Sequence, residues 1–251
     1  MRRVLPLLLL IAIAYPHHAY AAIKLEDKVG ADNTETRSLV TRLENVLTQT
    51  EKRIREVFGY KLDMKAVVGP SKEDYDFLFM LSEDSKQSGV LLINSRIVQD
   101  YSIEDLKIAA ARALYQAVWP KFRKSTASAP VLVQRMFDEG MTAYAAQLLY
   151  PGAPPWMYAG LFGNEGKEMY RQYLSNEKDL AAEVLQALSA GPGAKFEPYA
   201  LSGRLLSFRL MKTFEKDLDP KMIQLMGITE FEQRLRGGLD VLKKGYRGDG
   251  I

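Results

Sequence analysis

The chain has 251 residues, and its 34 Lys and Arg against 31 Asp and Glu give a formal net charge of +3 at pH 7. This balance gives no reason to expect a nucleic-acid partner, which a strongly basic surface would attract. Cysteine is absent and only two histidines occur, so disulfides and thiol nucleophiles are excluded.

The N-terminal residues have the pattern of a secretory signal peptide. Arg2 and Arg3 precede an apolar run over residues 4–14, and a small-x-small cleavage site ends at Ala21. This run is shorter than the ~20 residues that span a membrane. No cysteine follows it, so a lipoprotein anchor is not expected. The pattern predicts removal of residues 1–21, export to the periplasm or the medium, no membrane attachment afterwards, and a single domain over residues 22–251.

Apolar spacing before residue 100 indicates a mixture of helices and short strands. Leucine and valine recur at helical spacing up to Phe58, and Gly59 suits the left-handed position that ends a helix. Ser71 followed by acidic residues is typical of a capped helix start. We therefore predict helices at residues 33–58 and 72–81, and strands at residues 64–68, 89–93 and 96–98.

Two helices are predicted next, over residues 103–119 and from residue 131 to Tyr150. Ser102 and Pro120 mark the start and stop of the first helix, and Pro151 ends the second. After a Pro- and Gly-rich loop at residues 151–163, helical patterns cover residues 164–174, 177–189, 198–214, 220–226 and 229–244, with a break at residues 191–193. The fold class is α+β, mainly α: a small β-sheet and two central helices over about residues 60–150, then a helical part over residues 151–245.

Both central helices carry polar residues at informative positions. Arg112 and Gln116 stand four residues apart, so their side chains lie one above the other on the first helix. Glu139 lies on a mostly apolar, small-residue edge of the second helix. A carboxylate in such surroundings needs a polar partner.

The run DEGMTAYAAQLLYPGAPPW resembles the second motif of gluzincin-type zinc metallopeptidases, in particular the bacterial predicted zinc-dependent proteases. In that family one helix carries His-Glu-x-x-His and the next carries Glu-Gly-x-Ala-x-Tyr, whose Glu is the third zinc ligand. Glu139, Gly140 and Tyr144 match the second motif. The first motif aligns with residues 112–116, which places Arg112 and Gln116 at the two histidine positions and Ala113 at the position of the general base. The resemblance implies a gluzincin-like domain with a degenerate first motif.

A zinc site of the family type is not expected in the mature chain. The two histidines are His17 and His18, both inside the predicted signal peptide, and zinc in proteins is bound mainly by His, Cys and a limited number of carboxylates. Ala113 has no group that could activate a water molecule. We therefore predict no catalytic residues, no metal ligands and no cofactor.

Two interpretations of Arg112 remain open at this point. Arg112 is either a solvent-exposed arginine on a polar helix edge with Asp105 and Gln116, or it occupies the vacated metal position and pairs with Glu139. A planar guanidinium suits the second arrangement, because its fork can bind a carboxylate through two parallel hydrogen bonds.

Further residues are candidates for a cleft near these motifs, although each also has an ordinary core or surface interpretation. The edge of the small sheet could accept an extended peptide through main-chain hydrogen bonds, as in the resembled metallopeptidases, or the sheet could simply pack beneath the helices. The candidate side chains are Asp138, Tyr144, Trp156, Tyr199 and Arg204.

Three functions remain as hypotheses. The first is an exported, catalytically inactive, metallopeptidase-like domain that binds a peptide or protein. The second is a hydrolase or peptidase with a carboxylate-based site, for which adjacent Asp138 and Glu139 are poorly placed because neighbouring helical residues point about 100 degrees apart. The third is a purely structural helical domain.

Overall fold

The structure is a computed structural model that describes residues 23–28, 34–80, 89–122, 129–190 and 201–246. The predicted signal peptide, the predicted break at residues 191–193 and Tyr199 lie outside these residues. The elements are β1 (Lys24–Asp27), α1 (Thr34–Phe58), β2 (Lys65–Gly69), β3 (Phe77–Met80), β4 (Val90–Asn94), α2 (Ser95–Val98), α3 (Ile103–Phe122), α4 (Val131–Leu149), α5 (Pro155–Tyr158), α6 (Gly163–Ala190), α7 (Leu201–Phe214), α8 (Pro220–Leu225) and α9 (Ile228–Lys243).

The coarse fold class is confirmed: the described chain is mainly helical, with one four-stranded sheet in the order β1-β2-β4-β3. Strands β1, β2 and β4 are parallel, and β3 pairs antiparallel with β4. The sheet buries alternate apolar side chains, Ala66 and Val68 on β2 and Leu91 and Ile93 on β4, as expected for strands that cover a core. β3 is an edge strand, since no other described strand pairs with its outer side.

The predicted helix at residues 72–81 is wrong, because its second half forms strand β3. Ser71 does accept a hydrogen bond from the Glu73 backbone N–H at 3.1 Å, but this contact closes a turn. Main-chain pairing of β3 with β4, which begins with the hydrogen bond from the Asn94 N–H to the Asp76 carbonyl at 2.9 Å, then supplies the hydrogen bonds that a helix would have supplied locally. A long-range partner therefore overrides a local cap signal.

The strand predicted at residues 96–98 is also wrong, and strand β1 was not predicted. The Asn94 side chain accepts a hydrogen bond from the Arg96 backbone N–H at 3.2 Å, which starts α2 instead of a hairpin. The edge of β4 that such a hairpin strand would have taken is occupied by β3. β1 is only four residues long and is aligned by parallel pairing with β2, a contact that no local pattern reveals.

Two helix boundaries differ from the predictions. α3 runs through Pro120 to Phe122, so the proline does not stop the helix. The two helices predicted at residues 164–174 and 177–189 form the single helix α6. Between the two predicted ranges, the hydroxyl of Ser175 donates to the Gln172 carbonyl at 2.7 Å, so this polar side chain is satisfied within the helix.

Helix α4 occupies the centre of the helical part and packs most extensively against α7. Gly140 makes this approach possible, since a Cβ there would lie 2.9 Å from the Ser207 carbonyl oxygen and 2.8 Å from Met211. The glycine of the DEG motif therefore has a packing role in this chain. None of the described helices is long and apolar enough to cross a membrane.

Candidate functional site

A cleft of about 470 Å³ opens between the start of β3 and helices α3, α4 and α7. Its volume lies in the range of small-ligand sites. All four degenerate-motif positions and one of the predicted cleft residues line it, namely Arg112, Ala113, Gln116, Glu139 and Arg204.

Arg112 and Glu139 form an ion pair at the inner wall of this cleft. The Arg112 Nη2 atom donates to Glu139 Oε2 at 3.0 Å, and the Arg112 side chain is only 11% exposed. The interpretation of Arg112 as a solvent-exposed arginine is therefore wrong, and the predicted pairing is confirmed. The predicted two-bond fork is not formed, because Arg112 Nη1 donates instead to the Tyr158 carbonyl oxygen.

A glycine loop closes over the other side of the Arg112 guanidinium. Gly160 has a φ of +79°, a conformation that L side chains rarely adopt. A Cβ at this position would lie 3.1 Å from Arg112 Nε. The loop after α5 thus holds the guanidinium against Glu139 from behind, and a larger residue would displace it.

Burial lowers the pKa of Arg112 and is the largest influence on it. The charge and hydrogen bond of Glu139 raise that pKa, the nearby Arg204 lowers it, and Asp76 raises it. An arginine remains protonated under all these influences near neutral pH. Arg112 is thus a fixed cation, with Glu139 in contact and Asp76 at longer range as its counter-charges.

Arg204 on α7 completes the charged wall. Its Nε atom lies 3.8 Å from Glu139 Oε1, which is an ion pair at longer than hydrogen-bond distance. The Arg204 side chain is 40% exposed and lines the cleft. Within the described ranges, no side chain or carbonyl accepts a hydrogen bond from its guanidinium.

The remaining motif positions face the cleft without a charge. Ala113 is buried and Gln116 is exposed, one turn along α3 from Arg112. In the described part of the chain no group of three or more His, Cys, Asp or Glu side chains could hold a metal ion.

Three of the other predicted cleft residues do not line the cleft. Tyr144 is fully buried in the core, where burial and the neighbouring Glu215 raise the pKa of its hydroxyl. Trp156 packs against the ring of Tyr170 with centroids 5.6 Å apart. Asp138 is half-buried on α4 and does not join Glu139 at the cleft, so the two adjacent carboxylates are not brought together there.

The acidic side of the cleft was not predicted. Asp74 and Asp76 line it just before β3, and the hydroxyl of Tyr101 donates to Asp76 Oδ2 at 3.3 Å. Burial, with the charge of Asp76, raises the pKa of Tyr101. Both aspartates belong to the sequence DYDF at residues 74–77. The sequence analysis did not identify Asp74 and Asp76 because it predicted a helix for this segment. A helix would have distributed these side chains around its axis instead of placing them at the edge of a sheet.

No protein-family model matches the chain, and no curated protein matches its sequence.

Proposed function

We propose that this chain is an exported, catalytically inactive, peptidase-like domain that binds an extended peptide in the cleft beside β3. The observation that carries this proposal is the placement of edge strand β3 along helix α3, with the Arg112–Glu139 ion pair, which joins α3 to α4, lining the same cleft as the start of β3. In the metallopeptidases that the sequence resembles, a small sheet precedes the first motif helix and its edge strand binds the substrate peptide.

The backbone of β3 offers hydrogen-bonding groups to such a peptide. The Asn94 N–H donates to the Asp76 carbonyl at 2.9 Å, which identifies Asp76 and Asn94 as a hydrogen-bonded antiparallel pair. Since the pattern alternates along an antiparallel ladder, the backbone groups of Phe79 point away from β4, toward the edge at which no other described strand pairs. An added peptide strand would pair there through its main chain.

Side chains on the same strand suit a peptide with apolar residues. Leu78 is 36% exposed and Met80 is 50% exposed, and both lie on the same face of β3 because alternate residues of a strand share a face. A peptide strand beside them would place alternate side chains against these two. Main-chain pairing would supply affinity, and these contacts would supply selectivity.

Catalytic inactivity follows from the residues that stand at the motif positions. Ala113 carries no group that can transfer a proton, and Arg112 cannot act as a base because it is never deprotonated near neutral pH. The ion pair places a permanent cation where the resemblance places a metal ion. Arg112 would then donate a hydrogen bond to Glu139 and support the cleft wall, without polarising a water molecule.

Peptide binding is tested by blocking the free edge of β3. We expect Phe79→Pro to weaken binding of a short fluorescein-labelled peptide of alternating Ala and Leu by about tenfold or more, since proline removes the outward N–H. Phe79→Leu is the matched control, because it also removes the ring but keeps the N–H. Equal binding by both variants, measured by fluorescence anisotropy, would show that the strand edge is not the docking site.

The peptidase-like geometry is tested by rebuilding the motif. The triple substitution Arg112→His, Ala113→Glu and Gln116→His installs two imidazoles four residues apart beside Glu139. In untagged protein starting at residue 22, we expect this variant to bind about one zinc ion per chain by calorimetry. The same variant with Glu139→Gln should bind zinc more weakly. If the triple variant folds but takes up no zinc, the helices do not have the proposed ligand geometry.

A further inference from the structure

The two arginines of the cleft wall differ in how far contacts within the protein satisfy them. Arg112 has Glu139 in hydrogen-bond contact and Asp76 at longer range, so its charge is compensated within the protein. Arg204 shares the same carboxylate only at 3.8 Å. Glu139 and Asp76 together balance the charges of the two guanidiniums, but among the described residues no acceptor takes a hydrogen bond from the terminal nitrogens of Arg204, so a ligand can bind them.

The exposure of Arg204 places these nitrogens where a ligand can reach them. The side chain is 40% exposed and borders the cleft, whereas Arg112 is 11% exposed and donates to Glu139 and Tyr158. A guanidinium with free donors matches a carboxylate, which it can bind through two parallel hydrogen bonds. Arg112 is thus a support for Glu139, and Arg204 is the group that can bind an incoming anion.

The opposite wall limits what kind of carboxylate fits. Asp74 and Asp76 stand on the strand side of the cleft, where they would repel a peptide with acidic side chains beside β3. The volume of about 470 Å³ also suits the end of a chain better than a long segment passing through. A peptide whose single carboxylate is its own C-terminus satisfies both conditions.

We infer that Arg204 anchors the free C-terminal carboxylate of a peptide bound along β3, with the Arg112–Glu139 pair holding the wall on which Arg204 rests. This inference depends on the proposed peptide-binding function and adds the class of ligand. The ligand is an extended, largely apolar peptide end that lacks acidic side chains. Arg204 is a specificity residue in this arrangement, since it discriminates a chain end from the interior of a chain.

The test compares three fluorescein-labelled peptides of alternating Ala and Leu by anisotropy: one with a free C-terminus, one with a C-terminal amide, and an amide containing one internal Glu. For the unmodified protein we expect the free acid to bind about tenfold to hundredfold more tightly than either amide, as expected for a charge-assisted hydrogen bond. Arg204→Gln should reduce this ratio to about one, and Arg204→Lys should keep part of it. Arg171→Gln, an exposed arginine on α6, is the control and should leave the ratio unchanged.

Each alternative outcome has a distinct meaning. If the free acid and the simple amide bind equally, the carboxylate anchor is wrong while the proposed peptide binding stands. Binding of the internal-Glu amide as tight as that of the free acid, and lost in Arg204→Gln, would replace the chain end by an acidic side chain and overturn the inference. If none of the three peptides binds at about 1 mM, the proposed function fails and this inference with it.

Discussion

In the described part of the chain, two hydrogen-bonded Arg–Glu pairs join neighbouring helices, and they differ in their access to solvent. Arg209 on α7 pairs with Glu177 on α6 at 2.9 Å, and the two side chains are 3% and 7% exposed. Arg112 on α3 pairs with Glu139 on α4 at 3.0 Å, but the Glu139 side chain is 27% exposed. The distances are nearly the same, so the surroundings of the pairs decide what each one does.

Glu177 is enclosed by protein donors. One of its oxygens accepts hydrogen bonds from Arg209 Nε and, at 2.7 Å, from the hydroxyl of Tyr173. Arg209 also donates through Nη2 to the Tyr246 carbonyl at 2.8 Å. The donors and acceptors of this pair are used within the fold, which is typical of a charge pair that holds helices together.

The pKa values of the two arginines shift in opposite directions. Burial lowers the pKa of Arg209, but the hydrogen bond and charge of Glu177 together with two neighbouring tyrosines outweigh it and raise that pKa. At Arg112 burial prevails, helped by repulsion from Arg204, and the pKa is lowered. Burial is therefore the dominant influence on the pKa of Arg112, whereas the contacts with Glu177 and the two tyrosines dominate at Arg209.

The largest predicted effect is the loss of stability when the enclosed pair of Arg209 and Glu177 is broken. Arg209→Ala should lower the free energy of unfolding by about 3 to 5 kcal/mol, since Glu177 would be left buried without its cation. Urea denaturation followed by circular dichroism measures it. Arg171→Ala, which breaks an exposed pair with Glu168 on the same helix as Glu177, is the control and should cost less than about 0.5 kcal/mol. A loss below about 1 kcal/mol at Arg209 would contradict the assignment of a structural pair.

A smaller loss is expected at the cleft pair. Arg112→Ala should cost about 1 to 3 kcal/mol, because water in the cleft can solvate the partly exposed Glu139 when its partner is removed. The measurement is the same denaturation experiment, run beside Arg209→Ala. If Arg112→Ala lowers the free energy of unfolding as much as Arg209→Ala or more, solvent access does not distinguish the two pairs.

An intermediate loss of stability is expected for a substitution in the loop that contacts Arg112. Gly160→Ala should destabilise the fold by about 1 to 2 kcal/mol, because alanine is disfavoured at positive φ and its Cβ would press on the guanidinium. Gly237→Ala on α9 is the matched control: a Cβ there meets no atom within 4 Å, so the helix should gain about 0.5 to 1 kcal/mol. Similar changes in melting temperature for both variants would argue against a supporting role for the loop.

The smallest effect on stability is expected at Arg204. Arg204→Ala should change the free energy of unfolding by less than about 0.5 kcal/mol, since the side chain is 40% exposed and makes only a long contact with Glu139. Thermal denaturation checks this. A loss above about 1 kcal/mol would place Arg204 with the structural arginines and weaken its assignment as a ligand-facing group.

Helical periodicity was sufficient to locate most of the fold. The predicted ranges of α1, α4 and α9 agree with the structure to within a few residues, since each has an apolar stripe and a marked end such as Gly59. The pairing of Arg112 with Glu139 was one of two interpretations that the sequence left open, and the structure decided between them. The gluzincin-like architecture stays a prediction, as does the signal peptide.

The errors share a cause. β3 was predicted as a helix because Ser71 and the acids after it resemble a cap, and only the neighbouring β4 turns FLFM into an edge strand. Tyr144 was placed at the cleft from its motif position, yet α4 turns that face into the core. Asp74 and Asp76 escaped notice because their importance depends on the same strand.

The sequence by itself determined the balance of helix and sheet, the absence of cysteine, the confinement of histidine to residues 17 and 18, and the two motif helices that carry Arg112 and Glu139. Only the tertiary structure decided that β3 is an edge strand among the described strands, that Arg204 reaches the same carboxylate, and that one ion pair is enclosed while the other borders a cleft. The physical reason is the distance along the chain over which each interaction acts. Helix periodicity and capping act within a few residues, whereas strand pairing and burial depend on segments that are far apart in the chain.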